Sequence, residues 1–182
     1  MITQNLISKA QDFAKINGPQ VGHLDIANEA GQKIAQNLSA NKDIVLLGTL
    51  LMDCALGIAI KHGKLPEHIK MSHDAAKDFL DQDSDITSGE KLSVFNCILE
   101  HHNGKDFSSL ESEIVCNADC YRFASIPGFY FALTHFDQNL TPNMPEFFKS
   151  KFIEKNNLIT LDFVKQDLKE QINIINNFIQ YL

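Results

Sequence analysis

Apolar positions recur along most of this chain with a spacing near 3.6 residues, and no stretch shows the two-residue alternation of a half-buried strand. The pattern predicts an all-α fold. A first helix is expected over roughly 3–16, stopped by Asn17-Gly18-Pro19, and a second over about 20–38 with His23, Ile26, Ala27, Ala30 and Ile34 on one stripe. His23 therefore shares the apolar face. Residues 42–61 are apolar nearly all round and read as one central helix, closed by Gly63 and Pro66. Ser72 reads as the N-cap of a short helix, HDAAKDFL. Thr87-x-x-Glu90 has the form of a capping box before KLSVFNCILEHH, which Gly104 stops, and Ser108-x-x-Glu111 is a second such box before SEIVCNADCYRFA. An aromatic segment (GFYFALTHF), a Pro-punctuated loop at 142–145, a short helix near 145–155 and a last amphipathic helix capped by Thr160 follow. The stripe of that last helix, Leu161, Val164, Leu168, Ile172, Ile175 and Ile179, suits docking on the core or a homodimer contact.

A chain of 182 residues supports one domain with a single core. With 44% apolar and 21% charged residues the composition is that of a folded globular protein. The 44–60 run falls short of a ~20-residue membrane span and carries a carboxylate near its centre, so a buried core helix is expected and a membrane is not. MITQNLISKAQDF shows no basic-then-apolar export pattern, which implies a cytoplasmic location. Cys54, Cys97, Cys116 and Cys120 form no C-x-x-C pair and read as buried free thiols. A net charge of -7 without a Lys/Arg cluster disfavours duplex nucleic acid, whereas a small phosphorylated molecule held through a metal is compatible.

Several polar residues break the apolar faces. Asp53 is the only charged residue in IVLLGTLLMDCALGIAI (44–60), and no base lies three or four positions away. A buried carboxylate needs a proton, a base or a metal, because unpaired burial costs several kcal/mol or more. Asp119 lies between Val115 and Phe123 at four-residue spacing, and His102 continues the Leu92, Phe95, Leu99 face. His73 follows Ser72 directly. Each has a plainer role: His23 as a hydrogen-bonded core residue, Asp119 paired with Arg122 one turn on, His101 capping carbonyls. Inward imidazoles and carboxylates from several helices are also what a divalent metal site in a helical bundle requires.

The order His23, LLMD ending in Asp53, His73, His101-His102 and Ala118-Asp119 resembles the HD-domain family of metal-dependent phosphohydrolases. The resemblance covers about residues 20–130, with helices 145–182 packed on that core, and is closest to small bacterial members. It implies an HD-domain-like helical bundle whose metals polarise a phosphoryl oxygen and lower the pKa of a bound water. Carried across, His23, Asp53 and Asp119 match first-metal ligands, with Asp53 also catalytic, while His73, His101 and His102 match the additional histidines of two-metal members. Lys64, Lys105 and Arg122 are candidate substrate contacts. The implied cofactor is a divalent ion (Mn, Mg, Co, Zn or Fe), and the implied substrate a nucleotide or other small phosphate ester. The chain departs from the family at Met52, where the doublet histidine belongs, at Asn117, and at Cys120 and Arg122. A thioether is a poor ligand for such ions. The alternative reading is a non-catalytic descendant binding a nucleotide or protein partner, and the plainest a helical scaffold with satisfied core polar groups.

Overall fold

Thr3 accepts the Leu6 N–H at 3.2 Å and opens α1 (Gln4–Asn17). The computed structural model describes residues 1–135 and 143–181, and every regular element among them is helical. After α1 come α2 (Val21–Leu38), α3 (Lys42–Leu51), α4 (Leu56–Lys61), a 3-10 turn (Leu65–Glu67) and α5 (His68–Leu80). Then follow α6 (Ser88–Glu100), α7 (Leu110–Ala124), α8 (Ile126–His135), α9 (Met144–Asn157) and α10 (Asp162–Ile179). The fold is all-α, as the periodicity predicts.

Helix α7 is the axis of the bundle. It packs against α2, α3, α6, α8 and α9, and its residues from Ile114 to Ala124 are all buried. One apolar cluster joins α1, α2, α3, α6 and α7, with Leu6, Ile34, Leu47, Leu51 and Ile98 fully enclosed. A second joins α7 to the last three helices through Phe123, Phe129, Phe148, Phe152 and Ile175. Full burial of each such side chain contributes about 1.5–3 kcal/mol. Gly48 sets the depth of the first cluster, since a Cβ there would lie 2.8 Å from both Cys97 and Val115. Val164, Leu168, Ile175 and Ile179 of the α10 stripe are buried against these clusters.

Several local expectations need correction. The single helix expected over 42–61 is two helices separated by a turn at 52–55. There the bonds tighten to Cys54 N–H to Leu51 C=O and Leu56 N–H to Asp53 C=O, while the Ala55 N–H leaves the helix pattern and donates to Ser72 Oγ at 3.2 Å. Ser72 is thus no cap: it sits buried inside α5, which starts four residues earlier, behind Pro66. By length and composition the 42–61 stretch would suffice to cross a membrane, yet 67% of its most apolar window is buried in the fold. The Thr87 capping box forms, with Thr87 N–H donating to Glu90 Oε2 at 2.8 Å and Glu90 N–H to Thr87 Oγ1 at 3.2 Å. The second box is one residue later, Ser109 with Ser112, because Glu100 takes both the N–H and the hydroxyl of Ser108. Thr160 does not cap α10. No side chain caps α10; Asn117 on α7 instead holds the segment that leads into it, its Oδ1 accepting the N–H groups of Thr160 and Leu161 at 3.1 and 3.2 Å. Of the proline-punctuated 142–145 loop, Pro142 lies outside the described residues, as does Phe136 of the aromatic segment, while Pro145 stands in the first turn of α9.

Candidate functional site

The break after Leu51 is what aims Asp53. Its turn is tied to α5 twice, by Ala55 N–H to Ser72 Oγ and by Cys54 Sγ to Ser72 C=O at 3.4 Å, and the carboxylate is left 3% exposed beneath α5, α6 and α7. Asp53 Oδ2 accepts from Arg122 Nη1 at 2.6 Å, and the same Nη1 donates to Asp119 Oδ1 at 2.8 Å. The other oxygen of Asp119 takes the Lys155 ammonium, delivered from α9. Two buried carboxylates thus face two buried cations, and their formal charges cancel.

Asp53 Oδ1 has no hydrogen-bond partner among the described residues. It is approached instead by two imidazoles, His68 Nε2 at 3.5 Å and His101 Nε2 at 3.6 Å, both beyond ordinary hydrogen-bond length. Each ring is locked from behind. His68 Nδ1 lies 2.7 Å from Leu65 C=O and His101 Nδ1 2.7 Å from Ile98 C=O. A carbonyl only accepts, so both Nδ1 atoms carry the proton and both Nε2 atoms point at the carboxylate. An Nδ1–H held by a backbone carbonyl is the usual outer support of a metal-ligating histidine. His102 completes the group: ligand atoms of His68, His101 and His102 all lie within 4.8 Å of one another. Its Nε2 accepts from Lys155 Nζ at 2.8 Å and stands 3.5 Å from Asp119 Oδ2.

Burial pushes the Asp53 carboxyl up, but Arg122 outweighs it and, with His101, holds it well below the usual carboxylate range. Asp119 is likewise held low against burial by Lys155 and Arg122. For His101 burial opposes the charged ring, yet the Asp53 carboxylate prevails and raises it. His102 is lowered, chiefly by burial. His23 is pushed down to about 3 by burial and by the charge of Arg122, so its ring is neutral near pH 7. That ring lies between Phe123 and Phe131, centroids 5.3 and 5.0 Å away, with Nε2 buried and unbonded.

The structure brings together Asp53, Asp119, Arg122, His101 and His102, with His23 at the edge of their electrostatic reach. His73 is elsewhere: its Nδ1 pairs with Asp74 at 3.2 Å and its ring meets Phe95 edge-on. Starting α5 at Ser72 put the wrong histidine forward, since the true first turn presents His68 on the His68, Ser72, Ala76, Leu80 face that turns inward. Lys64 is exposed ahead of the 3-10 turn, and Lys105 is an exposed residue lining an open hollow of about 590 Å³ with Phe107, Glu113 and Thr160, none of the cluster residues among its walls. Sequence reasoning missed His68 and Lys155. Both carried a signal: Pro66 marks a helix start just before His68, and Lys155 lies three residues beyond Phe152 and seven beyond Phe148 on the inward face of α9.

No family model matches the chain, and no curated protein sequence does. Solved structures share its fold. A Lactobacillus plantarum protein superposes with TM-score 0.71 at 18% identity, covering 100% of this chain and 96% of its own. The Lin1889 protein of Listeria innocua gives 0.68 at 16%, covering 100% and 96%. YpgQ of Bacillus subtilis, solved in complex with ADP, gives 0.63 at 16%, covering 97% and 90%.

Proposed function

We propose that this chain is a metal-dependent phosphohydrolase of the HD-domain kind, acting on a nucleotide or other small phosphate ester. The observation that carries the reading is the unbonded Asp53 Oδ1 faced by two imidazole Nε2 atoms whose Nδ1 atoms are both committed to backbone carbonyls. The donor set that fits a divalent ion is the imidazole nitrogens of His68, His101 and His102, within 4.8 Å of one another, with Asp53 Oδ1 3.5 and 3.6 Å from the first two. When bound, such an ion supplies Lewis-acid polarisation of a phosphoryl oxygen and makes water a stronger acid. The chain's own residues do the rest. Arg122 keeps Asp53 ionised and orients it. His68 and His102, with side chains 13% and 24% exposed, form the rim through which a ligand reaches the deeper groups. Because Arg122 and Lys155 already balance both carboxylates, a divalent ion makes the site net positive, as a phosphate dianion requires. The ADP bound by YpgQ, a protein of the same fold, supports a nucleotide as the small phosphorylated ligand.

Two observations favour a second reading, a non-catalytic nucleotide-binding protein: Met52 stands where the resemblance has a ligand, and the charges of Asp53 and Asp119 are balanced by Arg122 and Lys155 without any ion. A single experiment separates the two. Purified protein dialysed against Mn²⁺, Co²⁺ or Zn²⁺ is assayed for bound metal and for phosphate released from ADP and other esters. The hydrolase reading expects a retained ion and turnover, both lost in His68→Ala and in His101→Ala, with His73→Ala unaffected. ADP binding without turnover supports the second reading, and no retained ion in any buffer refutes the metal centre.

A further inference from the structure

His23, Asp53 and Asp119, which match first-metal ligands in the resemblance, are not gathered into a metal-ligating group; among the described residues His68, His101 and His102 are. Three of the four carboxylate oxygens are occupied by cationic donors: Asp53 Oδ2 and Asp119 Oδ1 by Arg122 Nη1, and Asp119 Oδ2 by Lys155 Nζ. The fourth, Asp53 Oδ1, faces His68 and His101 on the opposite side. A guanidinium is always charged, forms a fixed fork and does not dissociate from its own backbone. Two departures in the sequence then have one meaning. A thioether at Met52 removes a ligand that holds an exchangeable cation, and an arginine one turn after Asp119 provides a cation that cannot exchange.

We propose that the Arg122 guanidinium is a covalently attached replacement for a divalent ion between Asp53 and Asp119, leaving one exchangeable ion position, at His68, His101 and His102 beside Asp53 Oδ1. Arg122 is therefore a positioning residue, holding Asp53 so that its free oxygen faces the histidines. The inference rests on the proposed metal centre only for the location of the exchangeable ion; the replacement of the other ion stands on the Arg122 contacts alone.

The test is metal content by mass spectrometry after dialysis against Mn²⁺, combined with thermal unfolding in Mn²⁺ and in EDTA, for wild type, Met52→His, and Met52→His/Arg122→Ala. Wild type and Met52→His should hold the same content, no more than about one ion per chain, because the guanidinium still blocks the position. Met52→His/Arg122→Ala should gain about one further ion and melt lower in EDTA than in Mn²⁺ by about 5 °C or more, since two buried carboxylates then depend on the metal. Wild type with about two ions overturns the proposal, as does a folded double variant with no more metal than wild type. If chains lacking Arg122 fail to fold even in Mn²⁺, His68→Ala/His101→Ala decides: an ion retained there overturns the proposal, and none retained supports it. Wild type with no ion counts against the metal centre of the preceding subsection, while the gain expected in Met52→His/Arg122→Ala still judges Arg122.

Discussion

Lys155→Met probes the buried charge cluster most directly. Lys155 is 3% exposed, and its ammonium serves Asp119 Oδ2 and His102 Nε2. Methionine keeps much of the stem's packing and deletes the charge. Breaking a buried ion pair from one side costs about 3–5 kcal/mol, and because Arg122 still holds the other Asp119 oxygen the expected loss is at the low end, about 3 kcal/mol. For a domain of this size each kcal/mol moves Tm by about 2–4 °C, so Tm should fall by about 6–12 °C. In Lys155→Met/Asp119→Asn the surplus charge disappears as well, leaving Arg122 with Asp53, and most of the loss should be recovered, to within about 1–2 kcal/mol of wild type. Urea titrations followed by circular dichroism, with a calorimetric Tm, measure both chains. A Lys155→Met Tm within about 2 °C of wild type, or losses that simply add in the double variant, would refute the account of Asp119 as a carboxylate that depends on two cations.

Two further outcomes are expected. Folded His23 titrates at about 3 and the unfolded chain near its ordinary 6.5, so as pH falls below about 6.5 the unfolded state takes up a proton that the folded state refuses. Stability should decline by up to about 1.4 kcal/mol per pH unit on this account, and His23→Phe, packed between Phe123 and Phe131, should flatten the decline between about pH 6 and 4.5, above the range where Asp53 and Asp119 contribute. Identical slopes in denaturant titrations of the two proteins would show that His23 is not buried neutral. Thr87→Ala removes one half of the α6 capping box and should cost about 1 kcal/mol, or about 2–4 °C in Tm; an unchanged melting curve would mean that the box contributes nothing.

Local signals carried the helices whose ends are written in adjacent residues. The stop at Asn17-Gly18-Pro19, the Thr87 box and the inward stripes of α2 and α10 all follow from spacing and capping chemistry, which act within a few residues. Asp53 and Asp119 were legible as carboxylates requiring partners, because burial of an ion is costly wherever it occurs. The pairing of Asp119 with Arg122 one turn on was legible too, and it forms at 2.8 Å; the partners from other helices were not. Arg122 reaches Asp53 across 69 positions and Lys155 reaches Asp119 across 36, distances over which sequence spacing carries no geometric information. The turn at 52–55 was hidden for the same reason: its apolar side chains suit a continuous helix, and only Ser72, contributed by another helix, offers the Ala55 N–H a different acceptor. The sequence by itself thus determined an all-α chain with inward acids and imidazoles. Tertiary packing alone decided that His68, His101 and His102 meet and that a guanidinium lies between the two carboxylates, since a charge in a low-dielectric interior is settled by whichever group the fold brings within about 3 Å.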